Sequence, residues 1–193
     1  MNVIHRESRQ PSFPPGFPSW LVQDVTLLDG RSVSVRPVLP TDADALRRAV
    51  ELADLQTLRL RFLGGRPPRT AEEFRRLVEV DYRRRLALVA HAPDGLGVAI
   101  ARYERPGDDP GAEIAVAVDP GWRHIGLATV LIRLLAEAAV SNGIRHFTAE
   151  FFTDNLDVGD LFSESGLPYR SSEQSTGVVD VDVTLPDSTG SIG

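Results

Sequence analysis

The feature of this 193-residue chain that most restricts its fold is one continuous stretch, AEIAVAVDPGWRHIGLATVLIRLLAEAA, from Ala112 to Ala139. Its opening is small, branched and apolar, which predicts a strand over Ala112–Val118. Asp119-Pro120-Gly121 then turns the chain. Leu127, Leu131, Leu134, Leu135 and Ala138 fall on one face of a helix running from about Gly126 to Ser141, and Asn142-Gly143 stops it. A helix start leaves backbone N–H groups without partners and carries about +0.5 charge. Gly126 and the small Ala128 let a ligand approach this backbone, and Arg123 adds a positive charge beside it. The segment therefore predicts a site for a pyrophosphate or similar anion. Spacing alone fits a plain strand-to-helix turn with an exposed Arg equally well. The stretch has no Gly-Lys-Ser/Thr of a Walker loop and no G-x-G-x-x-G dinucleotide fingerprint.

Strand and helix patterns alternate around it. Asp29-Gly30 is a turn signal ahead of the period-two segment Ser32–Val38, which reads as a hairpin or a strand start. Thr41 reads as the cap of a helix that continues to about Phe62, where Gly64-Gly65 and Pro67-Pro68 break it. Thr70 and Glu73 form a capping box for a second helix bearing Phe74, Leu77 and Val78. Leu86–Ala92, Gly97–Glu104 and His146–Phe152 read as strands, and Asp154–Ser165 as a short helix. Gly177–Leu185, with Val179, Val181 and Val183 alternating with Asp, reads as a half-exposed edge strand. This order predicts one mixed-sheet α/β or α+β domain over residues 23–186. It is preceded by a Pro-rich flexible arm, 1–22, onto which docking of Phe13, Phe17 and Trp20 stays open, and followed by a frayed tail, 187–193.

Composition removes several function classes. The chain holds no Cys, which excludes disulfides, thiolate metal sites and a Cys nucleophile. The net charge of -6 argues against general nucleic-acid binding. No run approaches the ~18 apolar residues of a membrane span, and the N-terminus lacks the apolar core of a secretory signal, so a cytoplasmic location is expected. The histidines match no metal spacing, so no metal is expected. All 21 basic residues are Arg. That reads as the bias of a GC-rich genome, and it also leaves the chain no lysine of its own to modify.

Val118-Asp119-Pro120-Gly121-Trp122-Arg123-His124-Ile125-Gly126-Leu127-Ala128 resembles the Arg/Gln-x-x-Gly-x-Gly/Ala signature of the GCN5-related N-acetyltransferases. Arg61-Phe62-Leu63, Val80-Asp81-Tyr82, Ala101-Arg102-Tyr103 and Thr153-Asp154-Asn155 extend the likeness to the acetyltransferase domain of bacterial protein-lysine acetyltransferases of the Pat kind, over about residues 25–170. The resemblance implies a mixed, mostly antiparallel sheet of six to seven strands with helices on both faces. It implies acetyl-CoA as cosubstrate, with pyrophosphate held by Arg123, His124, Ile125, Gly126, Leu127, Ala128 and Thr129. The amides of Val116 and Val118 would hold pantetheine and thioester, with Asn155 and Phe162 completing the cofactor site. The implied partner is a protein with an exposed lysine, an acyl-CoA synthetase among the candidates, or else a small amine.

Glu113 shares its strand face with Ala115 and Ala117, while Ile114, Val116 and Val118 face the other way. Read alone, it is a strand-start carboxylate balancing an Arg. The resemblance makes it the general base, and partial desolvation would suit that role. Three departures stand out. His124-Ile125 replaces the usual small and basic residues of the turn, which predicts weaker cofactor binding. Phe162 stands where many relatives carry a proton-donating Tyr. The chain also has no room for the cyclic-nucleotide module of mycobacterial relatives, so that regulation is not expected. The first two keep a non-catalytic CoA-binding domain open as an alternative, and the valines near the C-terminus leave monomer or homodimer open.

Overall fold

The computed structural model describes residues 13–62, 65–153 and 157–186, with backbone only for 157–160. The strands are β1 (Gln23–Thr26), β2 (Ser32–Pro37), β3 (Arg85–His91), β4 (Gly97–Glu104), β5 (Gly111–Val118), β6 (His146–Phe152), β7 (Tyr169–Glu173) and β8 (Val178–Thr184). The helices are α1 (Ala43–Leu52), α2 (Leu55–Arg61), α3 (Ala71–Val78), α4 (Leu127–Ser141) and α5 (Asp157–Ser165). The strands form one sheet in the order β1-β2-β3-β4-β5-β6-β8-β7. Neighbours run antiparallel except β5 and β6, which are parallel and need the α4 crossover to join them.

Register assigns the faces. Leu86, Tyr103 and Ile114 are cross-strand partners on one face, and Phe147 packs against Tyr103 with ring centroids 6.0 Å apart. Leu131, Ile132, Leu135 and Ala136 of α4 are fully buried against this layer. The other face carries the row Arg85, Glu104, Glu113 and Thr148; α2 contacts it at β5, and at β3 Arg85 donates to the Arg76 carbonyl of α3, against which α1 packs. The segment before β1 lies on the body as well. Leu21 is fully buried and the Phe17 ring meets Tyr82 edge-on at 5.5 Å.

The mixed sheet with helices on both faces is as expected, but it has eight strands rather than six to seven. β1, Gln-Asp-Val-Thr, is the partner that the hairpin reading at Asp29-Gly30 calls for, and β7, Tyr-Arg-Ser-Ser-Glu, is unread; neither has apolar alternation because neither turns a full face to the core. The Val179–Val183 alternation is not an edge: β8 sits between β6 and β7, with Val181 and Val183 in the core, and β7 is the edge. The single helix expected up to Phe62 is two. Ala53 is extended (ψ 141°), and the Asp54 carboxylate accepts the Thr57 N–H at 2.8 Å, capping a new helix. Thr41 is not a cap either. It lies in a 3-10 turn, Pro40–Asp42, that precedes α1.

Asp42 holds that turn. Its carboxylate accepts from Arg36 Nη1 and Nη2 at 2.7 and 2.8 Å and from the Leu39 N–H at 2.7 Å. Burial works to raise its pKa, but the Arg36 and Leu39 bonds outweigh burial and leave it below the ordinary 3.8. A folded-state pKa below the unfolded one gives stability that is complete above 3.8 and disappears as pH falls through the folded value. Asp42→Asn is expected to cost about 1–3 kcal/mol at pH 7. In urea denaturation, its difference from the unsubstituted protein should shrink as the pH drops below 3.8.

Candidate active site

β5 and β6 pair only at Gly111–His146, Ala112–Phe147 and Glu113–Thr148, yet β5 runs on to Val118 and β6 to Phe152. The strands therefore part after Glu113. The Asp119 N–H donates to Val98 O on the β4 side, so two-residue alternation turns the amides of Val116 and Val118 the opposite way, into the gap. The gap is a cleft of about 310 Å³. β5 and the start of α4 form one wall, and Ala149, Glu150 and Phe151 of β6 and Phe162 of α5 form the other, with Thr57, Leu60 and Arg61 of α2 alongside.

The bend between β5 and α4 is built locally. Asp119 Oδ1 accepts the Gly121 N–H at 2.9 Å and Asp119 O accepts the Trp122 N–H at 2.8 Å, forming a 3-10 turn over Pro120–Trp122. Arg123 follows in extended backbone. Its Nε donates to Val118 O at 3.2 Å and its Nη2 to Thr57 Oγ1 at 3.3 Å. The guanidinium thus ties the end of β5 to α2 while lining the cleft. His124 is left-handed (φ 58°), as is Gly126 (φ 83°). The first bond inside α4 runs from Val130 N–H to Gly126 O, and no side chain caps the helix. The amides of Leu127, Ala128 and Thr129 therefore precede the helical ladder at the positive end of its dipole.

Of the residues expected in the site, Glu113, Val116, Val118, Arg123, His124, Gly126, Leu127, Ala128, Thr129 and Phe162 all line the cleft. Ile125 does not: its side chain packs toward the core and its carbonyl accepts the Leu28 N–H at 3.2 Å. Asn155 lies outside the described residues. Thr129 is turned toward α5, its hydroxyl 3.4 Å from Glu164 Oε2. Glu113 is exposed rather than desolvated, because it sits where the two strands begin to separate and water reaches it.

Sequence reasoning missed the α2 wall. Arg61 is half-buried. Burial, then repulsion from Arg102, pushes its pKa down to about 10, against the attraction of Glu113. Arg102, 7% exposed, is lowered mainly by burial and held up by Glu104, whose carboxylate lies 3.5 Å from it. The cleft thus ends in mixed charge around Glu113. The available signal was Asp54-x-x-Thr57, an N-cap pattern that starts α2 and sets Arg61 four residues beyond Thr57, about one helical turn on.

The acetyltransferase (GNAT) family model matches residues 52–167, more than half of the chain. The chain belongs to this family. It is 30% identical to "Acetyltransferase PA5475" of Pseudomonas aeruginosa over 158 residues, 80% of this chain and 85% of that one. It is 30% identical to "Acetyltransferase Pat" of Mycolicibacterium smegmatis over 166 residues, 84% of this chain and 49% of that protein. This chain therefore spans about half the length of that mycobacterial relative. Its structure superposes on the crystal structure of the GNAT domain of S. lividans PAT with a TM-score of 0.78 and 29% identity, covering 88% of this chain and 99% of that one. In this acetyltransferase, among the described residues, no helix is long and apolar enough to cross a membrane, and no group of three His, Asp or Glu could hold a metal ion.

Gly126 tests the local geometry. A Cβ there would lie 3.3 Å from Leu28 Cγ on a left-handed backbone. Gly126→Ala is expected to cost about 1–3 kcal/mol, read as a lower denaturation midpoint in urea with an unchanged slope.

Proposed function

We propose that this acetyltransferase moves an acetyl group from acetyl-CoA to the side-chain amine of a lysine on another protein, with Glu113 accepting the amine proton. The observation that carries this reading is the separation of β5 from β6. It puts two outward-facing amides, Val116 and Val118, between an uncapped helix start and an exposed carboxylate.

The residues present fit the cosubstrate. The amides of Leu127, Ala128 and Thr129 would hold the diphosphate, since they combine free donors with the helix dipole, and Ala128 lets it approach. Val116 and Val118 would hold the pantetheine arm by their backbone, as an added strand would be held. Acetyl-CoA, when bound, supplies a thioester carbonyl open to attack by an amine. A lysine amine has an ordinary pKa near ~10.4 and arrives protonated. Glu113, at the open end of the cleft, is placed to take that proton. The half-buried Arg61 works in the same direction, because a cation beside a second cation disfavours the ammonium form. Phe162 offers a buried phenyl ring and no proton, so the departing sulfur takes its proton from water.

Two observations favour a protein over a free small amine. Glu113 is exposed, and among the described residues α2 is the one helix beside it, so the acceptor end reads as a groove rather than a closed pocket. The chain is also similar to proteins named Pat. The net charge of -6 suits a cationic partner, and an acyl-CoA synthetase is the protein to try first.

Calorimetry with acetyl-CoA, then thiol release on a lysine-bearing protein with mass spectrometry of the product, tests the assignment. Binding without turnover of any amine would make the chain a CoA-binding domain only, and turnover confined to small amines would remove the protein acceptor. Glu113→Gln is expected to lower kcat at pH 7 by roughly 10²–10⁴-fold. It should leave acetyl-CoA affinity unchanged and recover part of the loss at higher pH, where the amine deprotonates unaided. Near-normal turnover at pH 7 would exclude Glu113 as the base.

A further inference from the structure

The tip of the β1–β2 hairpin reaches across about ninety residues of sequence to grip the bend ahead of α4. The tip is a tight turn, with Leu27 N–H on Arg31 O at 2.8 Å and Gly30 N–H on Leu27 O at 2.9 Å. Arg31 is oriented within it, since its backbone N–H and Nε both donate to Asp29, at 3.0 and 2.6 Å. That leaves Nη1 to donate to Gly121 O at 3.0 Å, with the guanidinium carbon 4.2 Å from the centre of the Trp122 ring. Three residues back, the Leu28 N–H donates to Ile125 O at 3.2 Å. The Leu28 side chain is 83% exposed, yet its Cγ lies 3.3 Å from where a Cβ on Gly126 would be. The bend is thus held at both ends, Gly121–Trp122 by Arg31 and Ile125–Gly126 by Leu28. Between the two grips sits His124 in a left-handed backbone, a conformation that persists only where its surroundings fix it. The hairpin lies outside the segment matched by the family model, which begins at residue 52.

We propose that this hairpin tip is a clamp. Leu28 and Arg31 are positioning residues that hold the bend of residues 121–126 so that the Leu127, Ala128 and Thr129 amides that follow it are set for the diphosphate, and so govern acetyl-CoA affinity through the backbone. The inference rests on the diphosphate being held at those three amides. The clamp acts by shape, not by charge: the Arg31 fork meets Asp29, Gly121 O and the Trp122 face together, which a lysine ammonium cannot do.

The test uses Leu28→Pro, which removes the N–H that Ile125 O accepts, Arg31→Ala, Arg31→Lys and the Leu28→Pro/Arg31→Ala double variant, each checked for a cooperative thermal transition. Amide hydrogen exchange on the ligand-free proteins should quicken at residues 121–126 in the double variant and stay unchanged in the body of α4. Calorimetry should then show CoA binding weakened by roughly tenfold, about 1.4 kcal/mol. Pantetheine, which lacks the diphosphate, should bind as before. Leu28→Pro should share in the loss, and Arg31→Lys should not restore it. Unchanged exchange at 121–126 overturns the clamp. A loss confined to Arg31→Ala and restored by Arg31→Lys also overturns it, since the guanidinium would then act by direct attraction. Faster exchange with CoA affinity intact overturns the link to affinity. An unsubstituted protein that binds CoA no more tightly than pantetheine fails the function reading, while the exchange data still decide whether the hairpin holds the bend.

Discussion

β5 and β6 share ladder bonds from Gly111 to Glu113 on one side and from His146 to Thr148 on the other, and no further. Each strand stays paired along its opposite edge beside the gap, β5 with β4 from Glu113 to Val118 and β6 with β8 as far as Phe152. The gap therefore persists without either strand fraying. Backbone donors left without partners in a dry interior cost about 1–3 kcal/mol each. Here they face an open cleft, where water satisfies them until a ligand replaces it. The catalytic proposal depends on this one interruption in an otherwise continuous sheet.

The two ends of the cleft differ in kind. At the α4 end, positive character comes from the backbone: three amides, the helix dipole and a glycine that no side chain caps. Arg123 is there too, but its guanidinium is engaged with Val118 O and Thr57. At the Glu113 end, the charges sit on side chains and oppose one another across β4, β5 and α2. Fixed dipoles suit a ligand whose charge never changes, such as a diphosphate. Titratable side chains suit the end where a proton must move.

The strand–bend–helix core of the site was legible because its signals are local and strong: apolar period two, then a glycine, then a long one-sided helix. What escaped notice depended on neighbours distant in sequence. β1 and β7 carry too little apolar pattern to be read from their own residues, since they are strands only because β2 and β8 offer them edges. The break at Ala53-Asp54 went unread because Leu46, Val50 and Leu52–Leu60 keep an apolar spacing across it, although Asp54 and Thr57 do form a cap. Ile125 stands in the motif's turn, but the pull of the core takes its side chain out of the cleft. Glu113 was expected to be partly dry from its small neighbours on one strand, and the sheet opens beside it instead.

One joint at the opposite end of α4 bears on all of this. The amide of Asn142 donates to the Tyr103 hydroxyl at 2.9 Å and to Tyr82 O at 3.3 Å, and Tyr103 in turn donates to Arg83 O at 3.0 Å. Tyr103 is fully buried, and that burial, partly offset by the Asn142 bond, drives its phenol to about 12, so the hydroxyl keeps its proton in any ordinary buffer. The helix is consequently anchored at its tail to a joint that alkaline pH does not open by deprotonating this hydroxyl. A stiff rod fixed at one end transmits no axial slip, so the spacing between its leading turn and the strand beside it is set by the length of the rod itself.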